Sequence, residues 1–137
     1  MPALNFQKQF ADLVENGEKR QTIRAERKDG RRPATPGAPI SLYTGMRTKS
    51  CRRLMIAQYA SLARIIMQRT HDGRLDIAVA ADPDRPIYWT ADAETMARDD
   101  GFPDAAAMLA WFENTHGLPF QGWLIKWDPP AQESPAP

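Results

Sequence analysis

The sequence predicts a mixed α+β fold, and three observations carry that prediction. Helical spacing of apolar residues appears in separate short stretches: Phe6, Phe10, Leu13 and Val14 near the start, and Met108, Trp111 and Phe112 near the end. Between and after these lie short apolar runs, several of them rich in β-branched or aromatic residues, closed by glycine, proline or aspartate, as strands are. The chain has 137 residues, 42% hydrophobic and 26% charged, enough for one ordinary domain to bury a core without metal or disulfide help.

In order along the chain, residues 6–17 read as a first helix that ends at Asn16-Gly17, where glycine suits a left-handed cap. Residues 20–25 read as a short strand. Residues 26–38 are charged and then hold Pro33, Pro36 and Gly37, which marks a surface loop. Pro39 to Thr44 reads as a strand ending at Gly45. Residues 51–69 tolerate a helix through Met55, Tyr59 and Leu62, but Leu54-Met55-Ile56 and Ile65-Ile66-Met67 favour two strands. His71-Asp72-Gly73 is a hairpin-type turn, Leu75 to Ala80 a strand, and Pro86 to Trp89 a further short strand. Thr90 suits the cap of a helix over 91–99, and Gly101 stops it. Pro103 fits the first turn of another helix, which ends near His116-Gly117. Gln121 to Asp128 is a final strand, with Trp123, Ile125 and Trp127 on one face and Leu124 and Lys126 on the other. Residues 129–137 are polar and proline-rich, the composition of a disordered tail, so the domain is expected over 1–128.

Net charge is +1, but the halves differ. Residues 1–60 carry 12 Lys/Arg against 5 Asp/Glu, and residues 61–137 carry 6 against 12. A basic half points to a polyanionic partner, or to pairing with the acidic half after folding. No apolar run approaches the roughly 20 residues of a membrane span, and the start lacks a basic-then-apolar leader. Cys51 is the single cysteine, and no Cys/His cluster has zinc spacing, so no metal or other cofactor is expected. These features together lead us to expect a cytoplasmic protein.

The chemistry-bearing stretch is Gly17-Glu18-Lys19-Arg20-Gln21-Thr22-Ile23-Arg24. On a strand, Arg20, Thr22 and Arg24 share a face, with Lys19 at the turn before it. Arg24 suits a phosphate or base edge, and Lys19 suits a point charge or, if desolvated, a base. Thr22 suits a donor or a nucleophile beside a deprotonated lysine. The same stretch also reads as a basic edge strand with solvated charges. Asp99-Asp100 sits against the dipole at a helix C-terminus, which calls for compensation by Lys19 or Arg24. Among the aromatics, Tyr88 and Trp89 follow a proline-rich loop and are the best placed to stack on a base. His71 and His116 read as surface structure.

Gly17-x-Lys19-x-x-Thr22-x-Arg24 resembles the characteristic stretch of ASCH domains, which are similar in fold to PUA domains. Pro36-Gly37-Ala38-Pro39-Ile40-Ser41-Leu42-Tyr43 sits where that family starts a strand, with Ala38 in place of an acid. The stretch from Thr44 through Arg47 and Lys49 to Arg52 resembles a longer, often phage-associated branch. Ala97-x-x-Asp100-Gly101-Phe102 and Gly122-Trp123-Leu124-Ile125-x-Trp127 are similar to the family's step between helices and its closing strand. The resemblance implies a small β-barrel with helices packed against it and a basic cleft that binds RNA or a nucleotide. It also implies a metal-independent hydrolase as an alternative. One branch is an amidohydrolase on an acetylated cytidine nucleoside and uses a Lys and a Thr spaced as Lys19 and Thr22, with a Glu where this chain has Asp100. Another lineage is linked to ribonuclease action, for which Tyr43 and Lys49, flanked by Arg47, are the candidates. Expected catalytic residues are therefore Lys19, Thr22, Asp100, Tyr43 and Lys49, and expected ligand-binding residues Arg20, Arg24, Arg47 and Trp89.

Overall fold

The computed structural model describes residues 3–35, 37–58 and 60–128. The expected tail, 129–137, lies outside the described residues. The chain opens not with a helix but with strand β1 (Ala3–Phe6), followed by helix α1 (Lys8–Glu15). Leu4 and Phe6 alternate inward on β1, so Phe6 ends a strand instead of starting a helical face. Strand β2 (Gln21–Ala25) follows the Gly17 turn, and strands β3 (Ile40–Thr44), β4 (Arg52–Ala57), β5 (Ala60–Arg69) and β6 (Leu75–Ala80) come next. The 51–69 segment is thus two strands, as its apolar triplets favour. Strand β7 spans Trp89–Ala91, a few residues later than Pro86–Trp89. Helices α2 (Ala93–Asp99) and α3 (Ala105–Thr115) precede the last strand, β8 (Phe120–Trp127).

Both late helices start later than expected: α2 is capped two residues beyond Thr90, and Pro103 precedes α3 instead of standing in its first turn. Thr90 lies in β7, and Asp92 caps α2 by accepting from the Thr95 amide at 2.9 Å. Pro103 precedes α3, whose cap is Asp104, accepting from the Ala107 amide at 2.8 Å. A carboxylate is a strong N-cap because it satisfies an orphan amide and meets the positive helix end.

The strands form two sheets, ordered β1-β3-β4 and β2-β8-β5-β6-β7, and no closed barrel joins them. β1 runs parallel to β3, with Leu4 opposite Leu42; every other pairing is antiparallel. The five-stranded sheet is covered on both faces. One face of β5 and β8 gives Leu62, Trp123, Ile125 and Trp127 to a core shared with β1, β3, β4 and α1. The other gives Ile65, Met67, Phe120 and Leu124 to a core shared with β6, α2 and α3. The alternation expected for the final strand places Trp123, Ile125 and Trp127 together in this way. None of the helices among the described residues is long and apolar enough to cross a membrane.

This architecture leaves two free edges near one another: β1 ends the smaller sheet and β2 ends the larger. Arg24 of β2 spans the gap, its Nη2 donating to the Asn5 carbonyl of β1 at 2.6 Å. The candidate site lies along this seam.

Candidate functional site

The site begins with the turn that reverses the chain after α1. Gly17 has φ +83, a left-handed conformation that glycine adopts without a Cβ penalty. The Lys19 amide then donates to the Leu13 carbonyl at 2.9 Å, folding Lys19 back under the helix. Lys19 is left only 2% exposed, which is rare for a lysine without a partner. Its partner is Asp100. Lys19 Nζ lies 3.2 Å from Asp100 Oδ1 and 2.5 Å from the Asp100 carbonyl oxygen, and 5.1 Å from the centre of the Phe10 ring.

Asp100 is the C-cap of α2, and its amide donates to the Met96 carbonyl at 3.0 Å. The next residue, Gly101, has φ +98. A Cβ there would lie 3.1 Å from the Phe10 ring and 3.4 Å from Leu13, so glycine lets the end of α2 press against α1. That close approach carries Asp100 down to Lys19. The expected compensation of an acid at this helix end is therefore made, by a buried ammonium. Gln21 completes the arrangement: its Nε2 donates to Asp100 Oδ1 at 3.3 Å and lies 3.3 Å from Met96 Sδ.

Burial governs the ionisation of both members. It pushes the Lys19 ammonium below its usual pKa, a shift that Asp100 opposes and Arg24 adds to. It pushes the Asp100 carboxyl above its usual value, against the opposing pull of Lys19 and Gln21. Burial thus works against both charges, and the ion pair with its hydrogen bonds works for them.

Thr22 and Arg24 continue the wall along β2. Arg24 Nε donates to Thr22 Oγ1 at 3.2 Å, and the guanidinium lies 5.0 Å from the centre of the Phe6 ring. Lys19, Thr22, Arg24 and Asp100 all line one cavity of about 250 Å³. Phe10, Phe102 and Trp111 form its aromatic side, with Phe102 5.8 Å from Phe10 and 5.9 Å from Trp111 between ring centres. Thr115 and His116, at the end of α3, line it as well. The four residues expected from the Lys-Thr-Arg stretch and the helical step thus converge on one cavity.

The other expected residues lie elsewhere. Arg20 precedes the strand; its Nε donates to the Gly17 carbonyl at 2.8 Å, and it lines a separate groove with Glu18, Asp99 and Lys126. Sharing a strand face with Thr22 required β2 to begin at Arg20, whereas it begins at Gln21. Trp89 is 72% exposed on β7, the opposite edge of the sheet from β2, so it cannot stack on a ligand held at Thr22. Tyr43 is half-buried on β3, and Arg47 and Lys49 are exposed on the loop after it; none of the three lines the cavity. That loop is its neighbour, since the Met46 amide donates to Asn5 Oδ1 at 2.9 Å.

The basic bursts are partly neutralised within the fold. Arg27 pairs with Asp29, Arg32 with Asp84, and Arg52 with Glu15. Among the described residues no group of three or more His, Cys, Asp or Glu side chains is placed to hold a metal ion.

Sequence reasoning gave Gln21 no role and read His116 as surface structure; His116 is indeed exposed, and it also lines the cavity. Gln21 is a polar residue on a strand face that turns out to be buried, and nothing local distinguishes it. His116 needs α3 to return to β2, a long-range fact. No family model, curated protein or solved structure matches the chain.

Proposed function

We propose that the chain is an ASCH-type, PUA-like domain whose seam cavity takes a single nucleotide of an RNA or a free nucleoside. The observation that carries this reading is the convergence of Lys19, Thr22, Arg24 and Asp100 on a small cavity with an aromatic side. A volume of about 250 Å³ is below the range of drug-sized pockets and suits one base or nucleoside, not a length of polymer. The aromatic side offers stacking surface to a flat heterocycle. Arg24 offers a charged donor to a phosphate or base edge, while the exposed basic loops 26–32 and 47–53 supply the long-range attraction that an RNA strand requires. The separation of the two sheets supports the same reading, since β1 and β2 are unpaired edges beside the cavity.

A second reading, a metal-independent amidohydrolase on an acetylated cytidine nucleoside, is favoured by the burial of Lys19. A lysine drawn towards its neutral amine is a competent base. In that reaction the Lys19 amine takes the Thr22 hydroxyl proton as Thr22 Oγ1 bonds to the acyl carbon. The acyl–nitrogen bond breaks as the leaving amine takes a proton, and water then releases the acetyl group as acetate. The ribonuclease alternative would draw on Tyr43 and Lys49, outside the cavity.

Short single-stranded RNA and N4-acetylcytidine, each with EDTA present, test these readings against the wild type, Thr22→Val and Arg24→Ala. Binding of RNA that weakens steeply with salt and is lost in Arg24→Ala supports the binding domain. Release of acetate, abolished by Thr22→Val with affinity retained, would replace it with the amidohydrolase, and RNA cleavage that persists in Thr22→Val would replace it with the ribonuclease. Absence of both would refute the nucleotide reading.

A further inference from the structure

His116, following α3, lines the same cavity as Lys19, Arg24 and Asp100. Resting on the nucleotide reading above, we propose that His116 is a specificity-determining residue that hydrogen-bonds the edge of the heterocycle seated against Phe102 and Trp111.

Three observations support this role. First, the imidazole is held in place by rings and not by polar groups. Its centre lies 5.7 Å from that of Trp111, 5.6 Å from Phe112 and 5.0 Å from Phe120. Second, neither ring nitrogen has a hydrogen-bond partner among the described residues, although the backbone amide donates to the Phe112 carbonyl at 2.9 Å. His116 is exposed, so both nitrogens face solvent, and a ligand can take up either one by displacing water with no rearrangement of the ring. Third, partial burial lowers the His116 pKa from its usual value, so the imidazole is neutral near pH 7. A neutral imidazole keeps one acceptor nitrogen, which can take a single hydrogen bond from an exocyclic N–H on the edge of a base.

The charged groups around His116 leave that state undisturbed. The elements packed on it present Trp111, Phe112 and Phe120, all uncharged. On α3 itself, Glu113 is engaged by Arg69 at 3.0 Å. Lining the same cavity are Lys19 and Arg24, whose positive charge further disfavours a second cation, and Asp100, which Lys19 pairs.

The test is calorimetric titration of cytidine and N4-acetylcytidine into wild type, His116→Phe and His116→Gln from pH 5 to pH 8. Phe keeps the ring packing and loses both polar atoms; Gln keeps a donor and an acceptor without titrating. We expect wild-type affinity to be flat near pH 7 and to fall as the pH drops through the His116 pKa. His116→Phe should bind about tenfold more weakly at pH 7, the effect of one lost hydrogen bond. His116→Gln should bind within about threefold of wild type, since its amide oxygen restores the acceptor, and its affinity should no longer fall in the window where His116 titrates. Wild-type binding with unchanged affinity in His116→Phe would overturn the role of His116 and leave the nucleotide reading standing. A pH dependence that persists in His116→Gln would assign the titration to Asp100 and overturn it likewise. Wild type that binds neither nucleoside would overturn the nucleoside reading and this inference together.

Discussion

Separating the Lys19–Asp100 pair should destabilise the fold far more than deleting it whole. Lys19 is 2% exposed and Asp100 5%, so either charge left alone has no route to water. Breaking a buried pair from one side costs about 3–5 kcal/mol, whereas replacing both members by apolar groups of similar volume is often neutral or stabilising. Lys19→Met and Asp100→Leu should each therefore cost about 3 kcal/mol or more, and the double variant should recover most of it. With single costs of about 3 kcal/mol each and a double variant costing about 1 kcal/mol, the coupling should reach about 5 kcal/mol, beyond the usual range for residues in contact because each single variant strands a buried charge. Recovery should be incomplete, because Gln21 Nε2 loses the Asp100 oxygen it donates to at 3.3 Å. Urea unfolding of the four proteins at pH 7, with m-values compared, measures the cycle. Single costs below about 1 kcal/mol, or a strictly additive double variant, would refute the argument that the pair is desolvated and mutually dependent.

Asp100 also sets a pH signature. Its folded-state pKa lies above 3.8, so the fold binds its proton more tightly than the unfolded chain does. Wild-type stability relative to Asp100→Asn should rise as the pH falls through the folded pKa and level off below 3.8, followed by urea unfolding across pH 3 to 7; a relative fall would contradict the direction. Gly122→Ala would place a Cβ 2.3 Å from the Arg24 carbonyl, between β2 and β8, and should cost about 3 kcal/mol or more in thermal or urea unfolding while displacing Arg24. Gly101→Ala, at φ +98 and facing Phe10, should cost more than about 1 kcal/mol by the same assay. Trp89→Ser and Arg20→Ala should change neither stability by more than about 0.5 kcal/mol nor nucleoside affinity, since both side chains stand outside the cavity. A loss of affinity in either, by titration, would move the site.

The parts of the fold that depend on local patterning were legible in the sequence. The faces of β8, the two strands within 51–69, the helix stops at Gly17 and Gly101, and the conflict of Asp100 with its helix dipole all follow from neighbours a few residues away. What was not legible depends on contacts far along the chain. β1 has only four residues, and Phe6 fits both its inward alternation and the spacing of α1, so the helical pattern hid it. The gap between β1 and β2 arises because β1 pairs with β3, a partner 34 residues beyond the end of β1. Arg20 stands outside the cavity because it precedes β2, where its side chain is held to the Gly17 carbonyl of the turn and strand alternation does not govern it. Lys19, Thr22 and Arg24 were found because they are close in sequence. Gln21 sits among them, but its role depends on Asp100, 79 residues away. His116 was read as surface structure, which it is, but its place beside the cavity depends on the return of α3.

The central claim is that the seam beside β2 holds one nucleoside or nucleotide. Titrating a short single-stranded RNA into 15N-labelled protein, and following the Trp111 indole with the backbone amides of residues 19–24 and 100–102, tests it most directly. The account predicts saturable shifts at these positions and none at the Trp89 indole, with Arg24→Ala losing them. Shifts centred on Trp89 or on the loop at 47–53, with the cavity residues unmoved, would contradict it.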